Sequence, residues 1–212
     1  MSICPNCQRD LKPITPPFCP RCGLPFLCAE DDKVHLCSHC LKEKRYFELH
    51  RSFGLYEGAL KEAIHRFKYL GEFPLLKVFA DLMSTTFQAL CLDHPVDLIV
   101  PVPLHVRRLR QRGFNQALLL AKELSKRTGI RYGQRVLRKV KDTPFQSTLK
   151  GTERRKNIKG AFHVNNTEEA RGKSILLVDD VCTTGATVNE CARTLLNGGA
   201  ERVVALTLAR VV

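Results

Sequence analysis

The chain reads as an α/β protein: a twisted parallel sheet flanked by helices, with a small cysteine-rich module ahead of it. Three observations lead there. Residues 173–187, KSILLVDDVCTTGAT, run from an apolar strand through an acid pair into a small hydroxyl-rich turn, and a helix follows. Residues 96–127 repeat the order strand, loop, helix. Strands that alternate with helical patterns point to a parallel sheet. Finally, three Cys-x-x-Cys pairs fall within the first 44 residues. The expected division is 1–44 for the module, 45–95 for a helical lead-in packed on the main domain, and 96–212 for the main domain.

The module contains Cys4 and Cys7, Cys19 and Cys22, and Cys37 and Cys40, with Cys28 between the last two pairs. Two such knuckles about 15 residues apart match a zinc ribbon, in which four thiolates close a tetrahedral site. Cys19, Cys22, Cys37 and Cys40 are the first choice for one Zn²⁺. Cys4 and Cys7 then need partners among Cys28, His35 and His39, or form half of a second, degenerate ribbon. Metal binding would supply most of the folding free energy of so small a unit. Four thiolates leave no open position, so the role is structural or adhesive rather than catalytic.

In the lead-in, Tyr56, Leu60, Ile64, Phe67 and Leu70 recur at helix spacing up to Gly71. A second helical face carries Leu76, Phe79, Ala80, Met83, Phe87 and Leu90. Both read as core-facing; Arg66, Lys68 and Tyr69 are placed to approach a substrate, but a solvated helix face is the favoured reading. Val96 to Val100 is a short strand, ended by Pro101-Val102-Pro103. Arg107, Arg108, Arg110 and Arg112 follow in what reads as a basic loop, then a helix opens near Gln116. Arginine donors suit a pyrophosphate, although a solvated basic loop has the same composition. Val136 to Lys139 reads as a further strand. The polar, basic stretch 141–160 after it is either a closing lid or a surface loop.

Residues 173–187 carry the chemistry. Ile175 to Val178 form the strand, Asp179 and Asp180 the acid pair, and Thr183-Thr184-Gly185-Ala186-Thr187 the turn. Val188, Cys191, Ala192, Leu195 and Leu196 then mark an amphipathic helix stopped by Gly198-Gly199. A helix start with a nest of backbone N–H groups attracts anions, so a phosphate fits the turn. Carboxylates cannot hold phosphate; they suit a sugar diol or Mg²⁺. A phosphorylated sugar satisfies both halves. Cys182 reads as a small apolar filler, and Cys91 and Cys191 as core.

Composition sets limits. With 44% hydrophobic and 26% charged residues, the 212-residue chain is ordinary for a globular protein. Its longest apolar runs fall short of the ~18–20 residues of a membrane span. MSICPNCQRD lacks the apolar core of a signal peptide, so a cytoplasmic location with reduced, metal-binding cysteines is expected. The net charge of +13 is concentrated: residues 101–160 hold 17 Lys+Arg against 3 Asp+Glu, or +14, whereas residues 1–50 hold 7 against 6. That points to an anionic substrate or a polyanionic partner.

The 173–187 string resembles the phosphoribosyl pyrophosphate loop of type I phosphoribosyltransferases. With the cysteine module, VPVPLHVRRLRQRGFNQALLLAKELS, and Thr143-x-x-Gln146-x-x-Leu149…Glu153-Arg154-x-x-Asn157-x-x-Gly160-Ala161-Phe162, the chain resembles the ComF/ComFC competence proteins, a group that includes the GntX type. The resemblance implies a phosphoribosyltransferase-like fold and a ligand, phosphoribosyl pyrophosphate, bound with Mg²⁺. It implies that Asp179 and Asp180 contact ribose, with a secondary role as base. Val181, Cys182, Thr183, Thr184, Gly185, Ala186 and Thr187 would complete the loop around the 5′-phosphate. Pro101, Val102 and Pro103 would form the pyrophosphate loop, with Arg112, Asn115 and Gln116 after it. Gln146, Arg154 and Asn157 would belong to the flexible loop. It further implies natural transformation: passage of single-stranded DNA, a membrane-associated helicase partner, and a peripheral position at the inner membrane. One departure stands out: three Cys-x-x-Cys pairs replace the four of longer relatives, leaving a second zinc open. An enzyme with an unnamed acceptor, a single-stranded-DNA binder and a helicase adaptor are all consistent with these residues.

Overall fold

Parallel strands covered on both faces are near-continuous apolar runs, and this chain builds its centre from such runs. Residues 4–26, 35–143 and 157–212 are described in the computed structural model. Helices α1 (Pro5–Asp10) and α2 (Ser38–Lys42) belong to the cysteine module. Strand β1 (His50–Leu55), helix α3 (Gly58–His65), a π-turn over Arg66–Leu70 and helix α4 (Leu75–Cys91) follow. Next come β2 (Leu98–Pro101), α5 (Val106–Arg112) and α6 (Gln116–Thr128). β3 (Leu137–Lys139) pairs antiparallel with β4 (Phe162–Val164). Helix α7 (Thr167–Ala170), β5 (Ser174–Cys182), α8 (Ala186–Asn197) and β6 (Arg202–Arg210) complete the order.

The main sheet runs β1-β6-β5-β2 with every pair parallel. Leu177 stands opposite Ala205 on one side and Val100 on the other. Alternate residues serve opposite faces, as the pleat requires. Leu176 and Val178 pack with Leu60, Phe67, Phe79, Met83 and Leu120 on the α3, α4 and α6 side. Ile175 and Leu177 pack with Val188, Cys191 and Leu195 of α8 on the other, where Phe47 and the module cysteines join the same cluster. The module is thus part of the main core.

Three segments differ from their sequence reading. The lead-in, read as helical, supplies a sheet strand in β1. Its buried positions are His50, Ser52 and Gly54; the His50 and Ser52 side chains meet Thr207 Oγ1 at 2.9 and 2.6 Å, and polar residues facing inward hide the strand pattern. The four-arginine segment is helix α5 rather than a loop. His105 Nδ1 caps it by accepting from the Arg107 N–H, and Gly113 in the left-handed region ends it. The lead-in's first helix gives way at Arg66 to a π-turn, a feature often found at functional sites.

β1 lies at the sheet edge, where unpaired backbone groups invite aggregation. The module covers it: His50 N–H donates to Arg21 O at 2.8 Å, Ile14 N–H to Phe53 O at 2.8 Å and Leu55 N–H to Lys12 O at 2.9 Å. The approach is tight at Gly23, whose φ is +66° and whose added Cβ would stand 2.7 Å from His50 O. Gly23→Ala therefore combines backbone strain with a backbone clash. A loss of about 1–3 kcal/mol in urea denaturation is expected, and an unchanged midpoint would show that the module is not docked on β1 in this way.

Candidate functional site

The carboxyl ends of β5 and β2 meet side by side, with Pro101 in register with Val178 and the Val102 N–H bonded to Val178 O at 2.9 Å. Ligands gather at such strand ends in open α/β sheets. Asp179 and Asp180 sit there. Each carboxylate accepts the next backbone N–H, Asp180 N at 2.9 Å and Val181 N at 2.7 Å.

Asp180 is 7% exposed and so requires compensation. Two groups provide it. Lys68 Nζ, carried by the π-turn, lies 2.7 Å from Asp180 Oδ2, and Gln116 Nε2 donates to the same oxygen at 3.3 Å. Burial would lower the Lys68 ammonium, but the Asp180 carboxylate outweighs it and holds Lys68 above its ordinary value. No ion pair to Asp179 forms among the described residues, although Lys68 attracts it at longer range. Although partly exposed as a residue, its carboxyl is pushed up to about 8, by desolvation first and then by the Asp180 charge. Burial likewise raises the Tyr56 phenol beside Lys68.

Beyond the pair, β5 continues through Val181 and buried Cys182. Thr183 is exposed, Thr184 Oγ1 accepts the Ala186 N–H at 3.4 Å, and Gly185 takes φ +75° as the N-cap of α8. A left-handed N-cap is a glycine position. Ala186 and Thr187 open the helix, whose first N–H groups have no intrahelical acceptor. Burial pushes the Cys182 thiol up, consistent with filler rather than reactive thiolate.

The other sequence-selected residues fall in three places. Pro101, Val102 and Pro103 adjoin the acid pair, and Asn115 caps α6 while its Nδ2 donates back to Val102 O at 3.1 Å. Gln116 contacts Asp180, and its Oε1 is buried with no hydrogen-bond partner among the described residues. Arg112 ends α5, its guanidinium 5.3 Å from the Tyr69 ring centre. Lys68, Tyr69, Arg108, Gln111 and Arg112 line a cleft of about 370 Å³. Gln146 and Arg154 lie outside the described residues; Asn157 is exposed at the far root of that stretch. The two roots are joined, since Val140 N–H donates to Ala161 O at 2.8 Å and Lys141 Nζ to Lys159 O at 3.0 Å. Lys68, read from sequence as solvated, is the residue that reasoning missed: nothing in its spacing reveals the distant carboxylate.

In the module, the sulfurs of Cys19, Cys22, Cys37 and Cys40 all lie within 4.8 Å of one another and all four residues are buried. Tetrahedral Zn–S bonds of ~2.3 Å fit that spacing. Backbone N–H groups of Cys22, Cys37 and Arg21 overcome burial and draw the Cys19 thiol down to about 7, while burial pushes Cys40 up to about 11. Four buried sulfurs of this kind form a closed structural zinc site. Cys4 and Cys7 are exposed and stand apart from it, the Cys7 N–H donating to Cys4 Sγ at 3.4 Å; Cys28 lies outside the described residues.

A family model described as a phosphoribosyl transferase domain matches residues 114–211, and one described as a double zinc ribbon domain matches residues 1–44. Competence protein F of Haemophilus influenzae is 32% identical over 212 residues, spanning 98% of this chain and 90% of that protein. Competence protein ComFC of Bacillus subtilis is 35% identical over 216 residues, spanning 98% and 84%. The chain belongs to the ComF/ComFC family. The DNA utilization protein YhgH of Escherichia coli strain K12 aligns over nearly the whole chain as well, 32% identical, spanning 98% and 90%. The transferase-domain match begins at Phe114, so Lys68 and the loop at 101–103 lie outside it. Among the described residues, no helix is long and apolar enough to cross a membrane.

The raised Asp179 has a consequence for stability. Because its folded value exceeds the ordinary ~3.9 of an aspartate, the folded state binds more protons than the unfolded state between about pH 4 and the shifted value. Stability therefore falls as pH rises through that window and levels off above about 8. Asp179→Asn removes the effect. Its denaturation midpoint should gain on the wild type between pH 5 and pH 8.5, and parallel curves would refute the shift.

Proposed function

We propose that the chain binds phosphoribosyl pyrophosphate at the ends of β5 and β2 and serves the uptake or use of DNA. The observation that carries the first half is the acid pair set directly before a glycine-capped, threonine-rich helix start. Asp179 and Asp180 take the ribose hydroxyls, and the 183–187 turn takes the 5′-phosphate. Residues 101–103, with the cationic cleft of Lys68, Arg108 and Arg112, take the pyrophosphate. Transfer would break the bond from ribose C1 to the pyrophosphate oxygen as an acceptor forms the new bond at C1. Positioning and charge stabilisation would supply most of the rate.

The acid pair does not fit a separate magnesium site, because the Lys68 ammonium already stands 2.7 Å from Asp180. Mg²⁺ would enter as the salt of the ligand, on its pyrophosphate oxygens. DNA involvement is supported by the names of the relatives, two competence proteins and one DNA utilization protein. In calorimetry with phosphoribosyl pyrophosphate and Mg²⁺, the wild type should bind and the Asp179→Ala, Asp180→Ala double variant should not. Equal binding by both would sink the assignment.

A second reading, direct single-stranded DNA binding, is favoured by one observation: Arg107, Arg110, Arg131, Arg135 and Arg138 are all exposed. Backbone contacts of this type lose roughly 0.7 log unit of affinity per log unit of salt for each phosphate neutralised. An oligonucleotide titration should show that steep dependence, reduced by Arg107→Ala with Arg110→Ala. A flat salt response would exclude it.

A further inference from the structure

Behind the 183–187 turn, on the side away from solvent, two guanidinium groups are buried. Arg210 is 6% exposed. Its Nη1 donates to Cys22 O at 2.8 Å and to Cys182 Sγ at 3.6 Å and meets His50 Nδ1 at 3.2 Å, while its Nη2 donates to Cys22 Sγ at 3.8 Å. One arginine thus touches both a zinc-site sulfur and the strand end that carries the turn. A Zn²⁺ held by four thiolates carries two net negative charges, which Arg210 helps to offset.

Arg45 has no equivalent counter-charge. Its side chain is 4% exposed, and its one ion pair among the described residues is loose, Nη2 to Glu43 Oε2 at 3.4 Å. Its Nε is buried with no hydrogen-bond partner among the described residues. Its Nη1 lies 3.9 Å from the place a Cβ on Gly185 would occupy, directly at the N-cap of α8. A buried guanidinium with an unmet donor is costly to hold, so its position calls for a cause. The backbone on both sides is clamped to the first turn of α8: Tyr46 N–H donates to Asn189 Oδ1 at 2.7 Å, and Asn189 Nδ2 donates to Lys44 O at 3.2 Å. The helix start and the buried positive charge are therefore built as one unit, which suits a dianion arriving at the turn.

We propose that Arg45 is a positioning residue of this turn: delivered by the segment leaving the cysteine module and clamped to α8, it holds Gly185 and the helix start ready for a phosphate monoester dianion. The zinc module is then the rear wall of the site. The inference rests on the sugar-phosphate reading of the turn and adds a residue that lies outside both matched family segments, 1–44 and 114–211.

Calorimetry with ribose 5-phosphate and with phosphoribosyl pyrophosphate plus Mg²⁺ tests it, on the zinc-loaded full chain. Arg45→Met should weaken both ligands by about tenfold, while metal analysis shows zinc retained. Arg45→Lys should recover most of the loss, which a purely space-filling role would not allow. Wild-type binding together with an indifferent Arg45→Met, or a lysine variant as weak as the methionine one, overturns this inference alone. A wild type that binds neither ligand overturns the sugar-phosphate reading and the inference with it. Should Arg45→Met fail to fold, the wild-type Arg45 Nε–H resonance decides: it is expected to shift on addition of ribose 5-phosphate, and an unmoved signal refutes the proposal.

Discussion

A carboxylate pair at the end of a strand buried on both faces must be compensated, and much of the surrounding structure does that work. A buried carboxylate such as Asp180 calls for a partner cation, since an unpaired buried charge costs several kcal/mol. The cation comes from Lys68, brought in by a turn of π-helix, and Gln116 adds a hydrogen bond to the same oxygen. Asn115 fixes the start of α6 to the loop after β2, so Gln116 arrives in a set orientation. For Asp179, desolvation and the neighbouring Asp180 charge outweigh the attraction of Lys68, and its carboxyl is pushed up instead. Two adjacent residues of one type thus acquire different characters from their surroundings.

The cysteine module is bound into the same arrangement. It covers the edge of β1 through backbone hydrogen bonds and shares a core cluster with the sheet. A ribbon with almost no core of its own gains a packed face, and the sheet gains a protected edge. The interface is polar at its centre, where Arg210, His50, Ser52 and Thr207 form one buried network. Such networks reward complete satisfaction and penalise partial loss, which ties the integrity of the module to that of the strand ends.

The chain's basic character divides along structural lines as well. Arg108 and Arg112 line the cleft beside the acid pair, whereas Arg107, Arg110 and Arg135 face solvent. The basic region therefore lines a cationic cleft on one side and presents a charged surface on the other.

The strand, acid pair, turn and helix of 173–197 were legible from sequence because each rests on local rules: apolar runs, left-handed glycine, and 3.6-residue spacing. The same holds for the pairing of Cys19 and Cys22 with Cys37 and Cys40, where ligand spacing is itself the signal. β1 escaped because His50 and Ser52 are buried against a threonine 155 or more residues away in sequence, a partner no local pattern can announce. α5 was taken for a loop because its arginines suggested a ligand more strongly than its caps suggested a helix. Lys68, Arg45 and Arg210 were invisible for one shared reason. A buried cation is defined by the anion or sulfur it meets, and each meets its partner, or the turn it supports, only across the assembled fold. The sequence by itself determined the order of strand, acid pair, turn and helix over 173–197, because that order rests on local rules; tertiary structure alone decided which charges stand around the acid pair, because they come from distant segments.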